Sequence, residues 1–302
     1  MSTVYDVIII GGGPAGLTAA LYARRANKSV LVIEKAAFGG QITFSPKVEN
    51  IPGFLSLSGN EFAEHLVGQV IEQGAEFEMC EALAIREGDP KTVVTDGGEF
   101  VGRTVIIATG AKHRRLGLPR EEDFIGEGIS FCAVCDGAFY QGKTVAVIGG
   151  GNSALQEAVL LSEQCKKVWI VQNLDSLTGE QKLRDVIAAR ANVEVILGTV
   201  VDGLLGESAL SGIRLRRVAD GTLSDLPIDG MFVAIGLVPQ NEPFSDLLAL
   251  NRYGYAEADE TCLTATPGVF VAGDCRSKKI RQVTTAAADG AVAALAACDY
   301  LG

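Results

Sequence analysis

The sequence predicts an α/β protein with parallel sheets, because one pattern of strand, glycine-rich turn, helix and strand occurs twice in its 302 residues. The first copy runs from the β-branched segment Val7 to Ile10, through a helix over 17–25, to a second apolar run that ends at Glu34. The second copy runs from the apolar segment 144–148 to the segment 167–171. Each copy therefore predicts a Rossmann-like dinucleotide-binding domain.

The remaining strong patterns extend this α/β arrangement. Apolar runs that end in small residues predict further strands at 104–108, 231–235 and 268–272, and an alanine-rich helix is expected from Gln282 to the C-terminus. The length suits two domains of ordinary size. Turn-forming residues place the domain changes near 113–117 and 239–243.

Composition and charge exclude several classes of function. Apolar residues make up 48% of the chain, as in globular proteins, and acidic residues outnumber basic ones by 37 to 26, for a net charge of -11. Such an acidic chain gains nothing from phosphate neutralisation, so nucleic-acid binding is not expected. The N-terminus lacks a basic segment before its short apolar run, which predicts neither a signal peptide nor a membrane helix. A cytoplasmic protein is expected.

The first glycine cluster has the spacing of a dinucleotide fingerprint. Gly11 suits a tight turn, Gly13 lets a pyrophosphate approach the backbone, and Gly16 lets helix and strand pack closely. The phosphate would lie at the helix N-terminus, which favours an anion. Glu34, at the end of the second strand, is positioned to bind ribose hydroxyls.

The second glycine cluster has Gly149, Gly151 and Ala154 at the same positions, but its surroundings differ. An NADP site needs arginines after the second strand, and an NAD site usually has an acid there. The segment 172–178 has neither at its start, and Asp175 is expected to be a solvated turn residue. We therefore expect no conventional NADPH site, and leave open an unused fold or a different nucleotide.

Cys132 and Cys135 are the only two of the seven cysteines that lie close together in sequence. A CxxC pair at a helix start can close a small disulfide ring, and Asp136 is a candidate acid for disulfide exchange. The alternative is half of a zinc site, but the other cysteines are isolated, and His65 and His113 are far apart in sequence. We favour redox chemistry and predict no metal.

These residues together resemble the low-molecular-weight thioredoxin reductases, a family of FAD enzymes. The motifs occur in family order along nearly the whole chain: GGGPAG at 11–16, GGQ at 39–41, VENIPGF at 48–54, ATGA at 108–111, CAVCDG at 132–137, GGGNSA at 149–154, GD at 273–274 and RQVTTAAADG at 281–290. The resemblance implies a discontinuous FAD domain, 1–113 and 243–302. A pyridine-nucleotide-type domain, 114–242, would be inserted and would carry the CxxC.

The resemblance also implies which residues contact FAD. By matching motif positions they are Gly11, Gly13, Pro14, Ala15, Gly16, Glu34, Lys35, Gly39, Gly40, Gln41, Asn50, Thr109, Gly110, Gly273, Asp274, Arg281, Gln282, Val283 and Ala286 to Ala288. Family members are homodimers that reduce thioredoxin, with an inserted domain that swivels. Cys135 is expected nearer the flavin, with Cys132 as the interchange thiol.

One departure from the family concerns the electron donor. Ordinary members hold the NADPH 2′-phosphate with a His-Arg-Arg segment and a further Arg, and the matching positions here are Gln172, Asn173, Leu174 and Thr178. The chain is therefore most similar to the ferredoxin-dependent branch, and basic residues at 112–115 and 278–281 are candidates for docking ferredoxin. The alternatives are NADH, NADPH or a deazaflavin as donor, or a flavin-linked redox sensor.

Overall fold

The computed structural model of the protein describes residues 3–45 and 47–302; Met1 and Ser2, where the expected N-terminal segment and FAD domain begin, and Pro46 lie outside them. Its strands are β1 (Val4–Ile10), β2 (Val30–Glu34), β3 (Glu76–Met79), β4 (Ala82–Arg86), β5 (Lys91–Thr95), β6 (Gly98–Ile107), β7 (Ala111–His113), β8 (Ile129–Ser130), β9 (Thr144–Ile148), β10 (Lys167–Val171), β11 (Val193–Ile196), β12 (Thr199–Gly206), β13 (Leu210–Arg217), β14 (Leu223–Pro227), β15 (Gly230–Val233), β16 (Leu237–Pro239) and β17 (Val269–Val271). Its α-helices are α1 (Pro14–Arg25), α2 (Gly59–Glu72), α3 (Ala133–Asp136), α4 (Asn152–Ser162), α5 (Gln181–Ala188) and α6 (Val283–Leu301).

The chain divides into two compact units. Unit 1 consists of Met1–Lys47, Ile51–Lys112 and Val238–Gly302, and unit 2 consists of Val48–Asn50 and His113–Leu237. Each unit contains a parallel strand–glycine turn–helix–strand arrangement, so the predicted α/β fold with two Rossmann-like units is confirmed. The functional assignment of the predicted segments 1–113, 243–302 and 114–242 stays a prediction.

The main sheet of unit 1 brings several sequence motifs to one edge. Its strand order is β3-β2-β1-β6-β5-β4, with β17 also paired to β6, and the pairs among β3, β2, β1, β6 and β17 are parallel. The glycine turn follows β1, Glu34 ends β2, Thr109 follows β6 and Gly273 follows β17. Ligands of α/β sheets bind at this carboxyl edge, and unit 1 therefore has a candidate site there.

Unit 2 has a parallel sheet of its own, with strand order β11-β10-β9-β15-β8 in the described residues. The second glycine turn follows β9, Gln172 follows β10, and the CxxC follows the short edge strand β8. An antiparallel sheet, β12-β13-β14, forms a further layer that shares an apolar cluster with β9 and β15. The sequence patterns did not predict this sheet, the β4-β5 hairpin, α2 or α5.

Most predicted elements agree with the structure to within a few residues. The strands 144–148 and 167–171 are observed at their predicted bounds. Helix α1 begins at Pro14 rather than at residue 17, because a proline fits the first helical position, where its missing N–H costs nothing. Strand β6 begins at Gly98 rather than at residue 104, because its N-terminal half pairs with β5.

Helices α1 and α6 approach each other closely in the core of unit 1. An ideal Cβ on Gly290 would lie 2.1 Å from the backbone oxygen of Ala15, so a glycine is required for this crossing. Ala19, Ala293 and Ala294 are fully buried in the same apolar cluster, and their small side chains allow the short interhelical distance. The contact fixes the start of α1 against α6.

This packing gives a test with two helical glycines. Gly290→Ala is expected to destabilise the protein by about 1–3 kcal/mol, because the new methyl overlaps rigid backbone. Gly68→Ala in α2, where a Cβ would meet nothing within 4 Å, is the matched control and should stabilise by about 0.5–1 kcal/mol. Denaturant unfolding of both variants measures the difference, and equal effects would contradict the proposed close contact.

Candidate cofactor site and redox-active disulfide

The first glycine turn has the geometry that its three roles require. Gly11 has φ 112°, and a Cβ there would lie 2.3 Å from the carbonyl oxygen of Ala108. A Cβ on Gly16 would lie 1.8 Å from the carbonyl oxygen of Gly11. At Gly13 the nearest atoms to a Cβ lie 3.9 Å away, so space is left beside this backbone at the start of α1. An anionic phosphate fits there.

Glu34 borders this turn and a cavity. Its carboxylate accepts hydrogen bonds from the Gly12 N–H at 2.7 Å and the Ala36 N–H at 2.9 Å, which fix its orientation. A cavity of about 240 Å³ lies beside it, lined in part by Gly11, Lys35, Thr109 and Phe244. Lys35 forms an exposed ion pair with Glu81 at 2.7 Å. The cavity is suited to the nucleoside end of a dinucleotide.

The 39–41 segment reaches the same turn through its glycines. The Gly39 N–H donates to the Gly12 carbonyl at 2.8 Å. Gly39 and Gly40 both have positive φ, 111° and 66°, and a Cβ on Gly40 would lie 3.2 Å from the Cα of Gly13. Gln41 follows at the exposed surface. Gly39 and Gly40 are thus brought to the predicted phosphate position.

Gly273 and Asp274 complete the site from the other end of the sequence. Gly273 has φ 79°, and a Cβ there would lie 2.8 Å from the Cβ of Ala15 in α1. The Asp274 Oδ1 atom is buried and has no hydrogen-bond partner, and burial raises the pKa of this carboxyl, partly offset by Lys278 and Arg281. A buried acceptor without a donor suits a ligand hydroxyl.

A buried ionic network that the sequence did not reveal supports this segment. The Asp289 carboxylate accepts two hydrogen bonds from Arg276, both 2.9 Å, one from Lys278 at 2.8 Å and one from the Gly273 N–H at 3.0 Å. Burial opposes the ionisation of Asp289, but Arg276 and Lys278 outweigh it and hold its pKa below the ordinary value. The only sequence signal was the run of four basic residues after Asp274, of which the network uses Arg276 and Lys278.

This network corrects part of the sequence analysis. Lys278 was a candidate docking residue, yet it is buried and bound to Asp289. Arg281 lies with its guanidinium carbon 4.1 Å from the ring centre of Tyr255 and donates to the Asp274 carbonyl at 3.3 Å. Neither side chain is available as a free surface cation, because each has a partner within unit 1. Lys279 remains exposed.

The other predicted cofactor residues occupy several positions. Gln282 is the N-cap of α6 and accepts from the backbone of its first turn, and Val283 is the first helical residue. Gly110 has φ 69° and follows Thr109, whose hydroxyl lies 3.4 Å from the Asn241 side-chain oxygen. Asn50 is grouped with unit 2 rather than with the segments of unit 1.

The residues of unit 1 fit FAD. Pro14, Ala15 and Gly16 begin the helix whose N-terminus faces the open space beside Gly13. The cavity beside Glu34 suits adenosine, and the partnerless oxygen of Asp274 suits a hydroxyl of the flavin chain. These features lie at one edge of one sheet, so a single extended ligand can contact them all.

Unit 2 contains the redox-active candidate. Cys132 and Cys135 form a disulfide with a Cα–Cα distance of 5.3 Å. Cys132 is the N-cap of the short helix α3, and its sulfur accepts from the Cys135 N–H at 3.2 Å. Val134, between them, is 62% exposed and is available to a partner. The predicted pair is therefore close enough for reversible oxidation.

Asp136 follows Cys135 in sequence, and two hydrogen bonds hold it in place. Its Oδ2 accepts from the Ser130 hydroxyl at 2.6 Å, and its N–H donates to the Cys132 carbonyl at 3.0 Å. Its Oδ1 is buried without a partner, and burial raises the pKa of the carboxyl, partly offset by Ser130. Such a carboxyl releases its proton less readily than an exposed one.

An aromatic and cationic group precedes the CxxC. The rings of His113 and Phe131 lie 4.9 Å apart, and the Arg115 guanidinium carbon lies 4.7 Å from the Phe131 ring centre. Burial, with Arg115 adding to it, lowers the pKa of His113 to about 4. His113 is therefore neutral at pH 7.

No group of three metal-ligating side chains is found among residues 3–45 and 47–302.

The second glycine turn is bonded to its own chain. Gly149 has φ 128°, and the Gly150 carbonyl accepts from the N–H groups of Thr178 at 2.8 Å and Gly179 at 2.9 Å. The buried Gln172 donates to the Ser176 carbonyl at 3.3 Å, and its side chain lies 2.5 Å from an ideal Cβ on Gly150. The segment 172–180 contains no lysine or arginine, so it offers no cation to a 2′-phosphate.

Within the described chain, no helix is long and apolar enough to span a membrane.

The family model for pyridine nucleotide-disulphide oxidoreductases matches residues 5–290. A thioredoxin reductase of Listeria monocytogenes is 40% identical over 300 residues, covering 99% of this chain and 94% of the relative. A "34.2 kDa protein in rubredoxin operon" of Clostridium pasteurianum is 42% identical, covering 98% and 97%. The crystal structure of thioredoxin reductase from Streptococcus pyogenes superposes with a TM-score of 0.95 at 39% identity, covering 100% and 99%.

Alanine variants at two glycines of the first turn distinguish an effect on cofactor binding from an effect on folding. Gly13→Ala fits the backbone, which has φ -82°, and should cost no more than about 1 kcal/mol of stability. It should nevertheless weaken FAD binding at least about ten-fold, because its methyl enters the phosphate space. Gly16→Ala should destabilise the fold itself through its clash with Gly11. Flavin retention and thermal unfolding distinguish them, and full retention by Gly13→Ala would contradict the site.

Proposed function

This chain belongs to the pyridine nucleotide-disulphide oxidoreductase family, and we propose that it is an FAD-dependent thioredoxin-disulfide reductase whose electrons come from ferredoxin. Thioredoxin reductases about 40% identical over nearly its whole length support the activity. The assignment of the electron donor rests on one observation: the segment after β10 has no cation for the 2′-phosphate of NADPH. A homodimer located in the cytoplasm is part of the same proposal.

The chemistry requires a reducible sulfur pair and a proton carrier. FAD, when bound, can accept electrons singly and deliver two to the Cys132–Cys135 disulfide. The Cys132 thiolate then attacks a thioredoxin sulfur and forms a mixed disulfide, which Cys135 resolves by attacking Cys132. The exposed position of Val134 supports access of thioredoxin to this pair. Asp136 supplies the proton that the first leaving sulfur needs.

The case against NADPH is electrostatic. A 2′-phosphate is normally held by several charge-assisted hydrogen bonds, each contributing about 1.5–3 kcal/mol. Gln172 is already hydrogen-bonded to Ser176, and the exposed Asn173, Leu174 and Thr178 are uncharged. Losing three such bonds weakens binding by about three orders of magnitude or more. A one-electron carrier needs no site of this kind, which supports ferredoxin.

Docking of an acidic ferredoxin would need local positive charge on this acidic chain. Lys112 and Arg114 are exposed, as is Lys279. Arg115 is partly engaged, because it lies over Phe131 and 3.8 Å from Glu122. We therefore infer that the exposed cations Lys112 and Arg114 attract ferredoxin. Their attraction would weaken as ionic strength rises.

A panel of donors tests the proposal. The FAD-loaded protein is mixed anaerobically with reduced ferredoxin, NADPH or NADH in stoichiometric amounts, while flavin absorbance and thioredoxin thiols are followed. Ferredoxin should bleach the flavin and yield thioredoxin thiols. The Cys132→Ser variant, as a control, should bleach without thiol formation. Rapid, full bleaching by NADPH would overturn the donor assignment and leave the reductase activity standing.

A gain-of-binding variant tests the electrostatic argument. The triple variant Asn173→Arg, Leu174→Arg, Thr178→Arg changes three exposed positions and keeps the buried Gln172. Two or three new charge-assisted bonds should tighten NADPH binding by about 10²–10³-fold. The same positions changed to Gln provide the uncharged control. Calorimetric titration with NADPH and NADH measures the effect, and equal affinities for both triple variants would count against the missing clamp.

A further inference from the structure

Ser130 makes two contacts that connect the CxxC to its acid. It ends β8, is 5% exposed, and its backbone is fixed by the parallel pairing of Ser130 with Phe232 in β15. Its hydroxyl donates to Asp136 Oδ2 at 2.6 Å and accepts from the Cys132 N–H at 3.1 Å. One side chain thus orients both the acid and the backbone of the first cysteine.

These contacts make the two oxygens of Asp136 different. Oδ2 accepts a hydrogen bond from Ser130, whereas Oδ1 is buried and has no partner. A protonated carboxyl keeps one oxygen as an acceptor and carries its proton on the other. With Oδ2 receiving the Ser130 hydrogen, the proton belongs on Oδ1, which is free to pass it on.

We propose that Ser130 is a positioning residue for thiol–disulfide exchange, holding Asp136 by Oδ2 so that Oδ1 carries the transferred proton. This inference rests on the proposed role of Asp136. The Cys132 thiolate attacks the thioredoxin disulfide, a Cys132–thioredoxin bond forms, the thioredoxin disulfide breaks, and Oδ1 protonates the sulfur that leaves. Asp136 regains a proton from the Cys135 thiol, which attacks Cys132, restores the enzyme disulfide and releases the second thioredoxin sulfur to take a proton from water.

Other titratable groups near α3 must be separated from Asp136. Tyr140, in the turn after α3, has a pKa raised to about 12 by burial and by Asp136 and Glu127, so it stays neutral. Helix α4, which packs against α3, carries Glu157, whose pKa burial raises to about 8. Burial raises the pKa of Asp136, and the Ser130 hydrogen bond lowers it. Because Glu157 titrates in the same part of the protein, Glu157→Gln serves as a control for any change in rate near pH 8.

The inference predicts the direction in which the pH dependence of the exchange rate changes. Protonated Asp136 is the competent form, so the exchange rate should fall as pH rises through its pKa. The Ser130 hydrogen bond lowers that pKa against the opposing effect of burial. Ser130→Ala should therefore move the falling limb to higher pH, while also slowing exchange about ten-fold at its plateau through lost orientation.

The experiment uses the full-length FAD-loaded enzyme, pre-reduced by dithionite and mixed with oxidised thioredoxin in a single turnover. This arrangement makes the result independent of the natural donor. Ser130→Ala should show the slower rate and the shifted limb, and Ser130→Thr, which keeps the hydroxyl, should restore both. Ser162→Ala is the matched control, because Ser162 is also buried in unit 2 and donates only to the Val159 carbonyl, at 2.6 Å. It should change neither quantity.

A double-mutant cycle separates the two levels of the proposal. Asp136→Asn should slow exchange by about 10²-fold or more and remove the falling limb, whereas Glu157→Gln should keep it. Adding Ser130→Ala to Asp136→Asn should then slow exchange by clearly less than the loss of about ten-fold expected for Ser130→Ala alone, and the remaining loss reflects the Cys132 N–H contact. A full, additive loss in the double variant, or an unshifted limb in a folded Ser130→Ala protein, would overturn the positioning role. A wild-type rate for Asp136→Asn would instead remove Asp136 from the proposed mechanism.

Discussion

The candidate cofactor site of this protein depends on backbone contacts around the start of α1 that only glycine permits. Gly11 lies against the Ala108 carbonyl, Gly16 against Gly11, and Gly273 and Gly290 against Ala15. These contacts bring β6, β17 and α6 to the end of β1, so that segments from both ends of the sequence meet at one sheet edge. Gly13 is the exception, because its open side is the space a phosphate needs. The other glycines are closely packed, so the space beside Gly13 is where a phosphate can bind.

A second constraint is the buried Asp289 network. A buried carboxylate without partners would be strongly destabilising, but Arg276, Lys278 and the Gly273 N–H satisfy it. Because one of these donors is the backbone of Gly273, the network also fixes the turn that carries Asp274. Asp274 is then left buried with a partnerless oxygen. The ionic network and the predicted ligand contact are thus parts of one arrangement, in which structural groups are satisfied and the ligand-binding group is not.

Unit 2 has the same type of fold, but its glycine turn has different surroundings. Its glycine turn keeps the backbone geometry of a nucleotide site, but the segment after β10 bonds to the turn itself and carries no cation. The disulfide instead follows the edge strand β8, where the Ser130 hydroxyl is hydrogen-bonded to both Asp136 and the Cys132 N–H. The same fold therefore holds a disulfide next to a buried carboxyl, while the segment after β10 offers no cation to a 2′-phosphate.

The sequence by itself determined the parallel α/β class, the turn around Gly11, the cysteine pair and the missing clamp at 172–178. These are local signals, because residues a few positions apart make the turn, close the disulfide ring or supply the charge. Only the tertiary structure decided that Asp289 holds Gly273, that Lys278 is buried rather than a docking cation, and that Ser130 orients Asp136. The β12–β14 sheet was likewise unpredicted, although its strands are consecutive in the chain and pair as antiparallel hairpins. Hydrogen bonds and burial that depend on distant chain segments have no local pattern, so they appear only once the chain is folded.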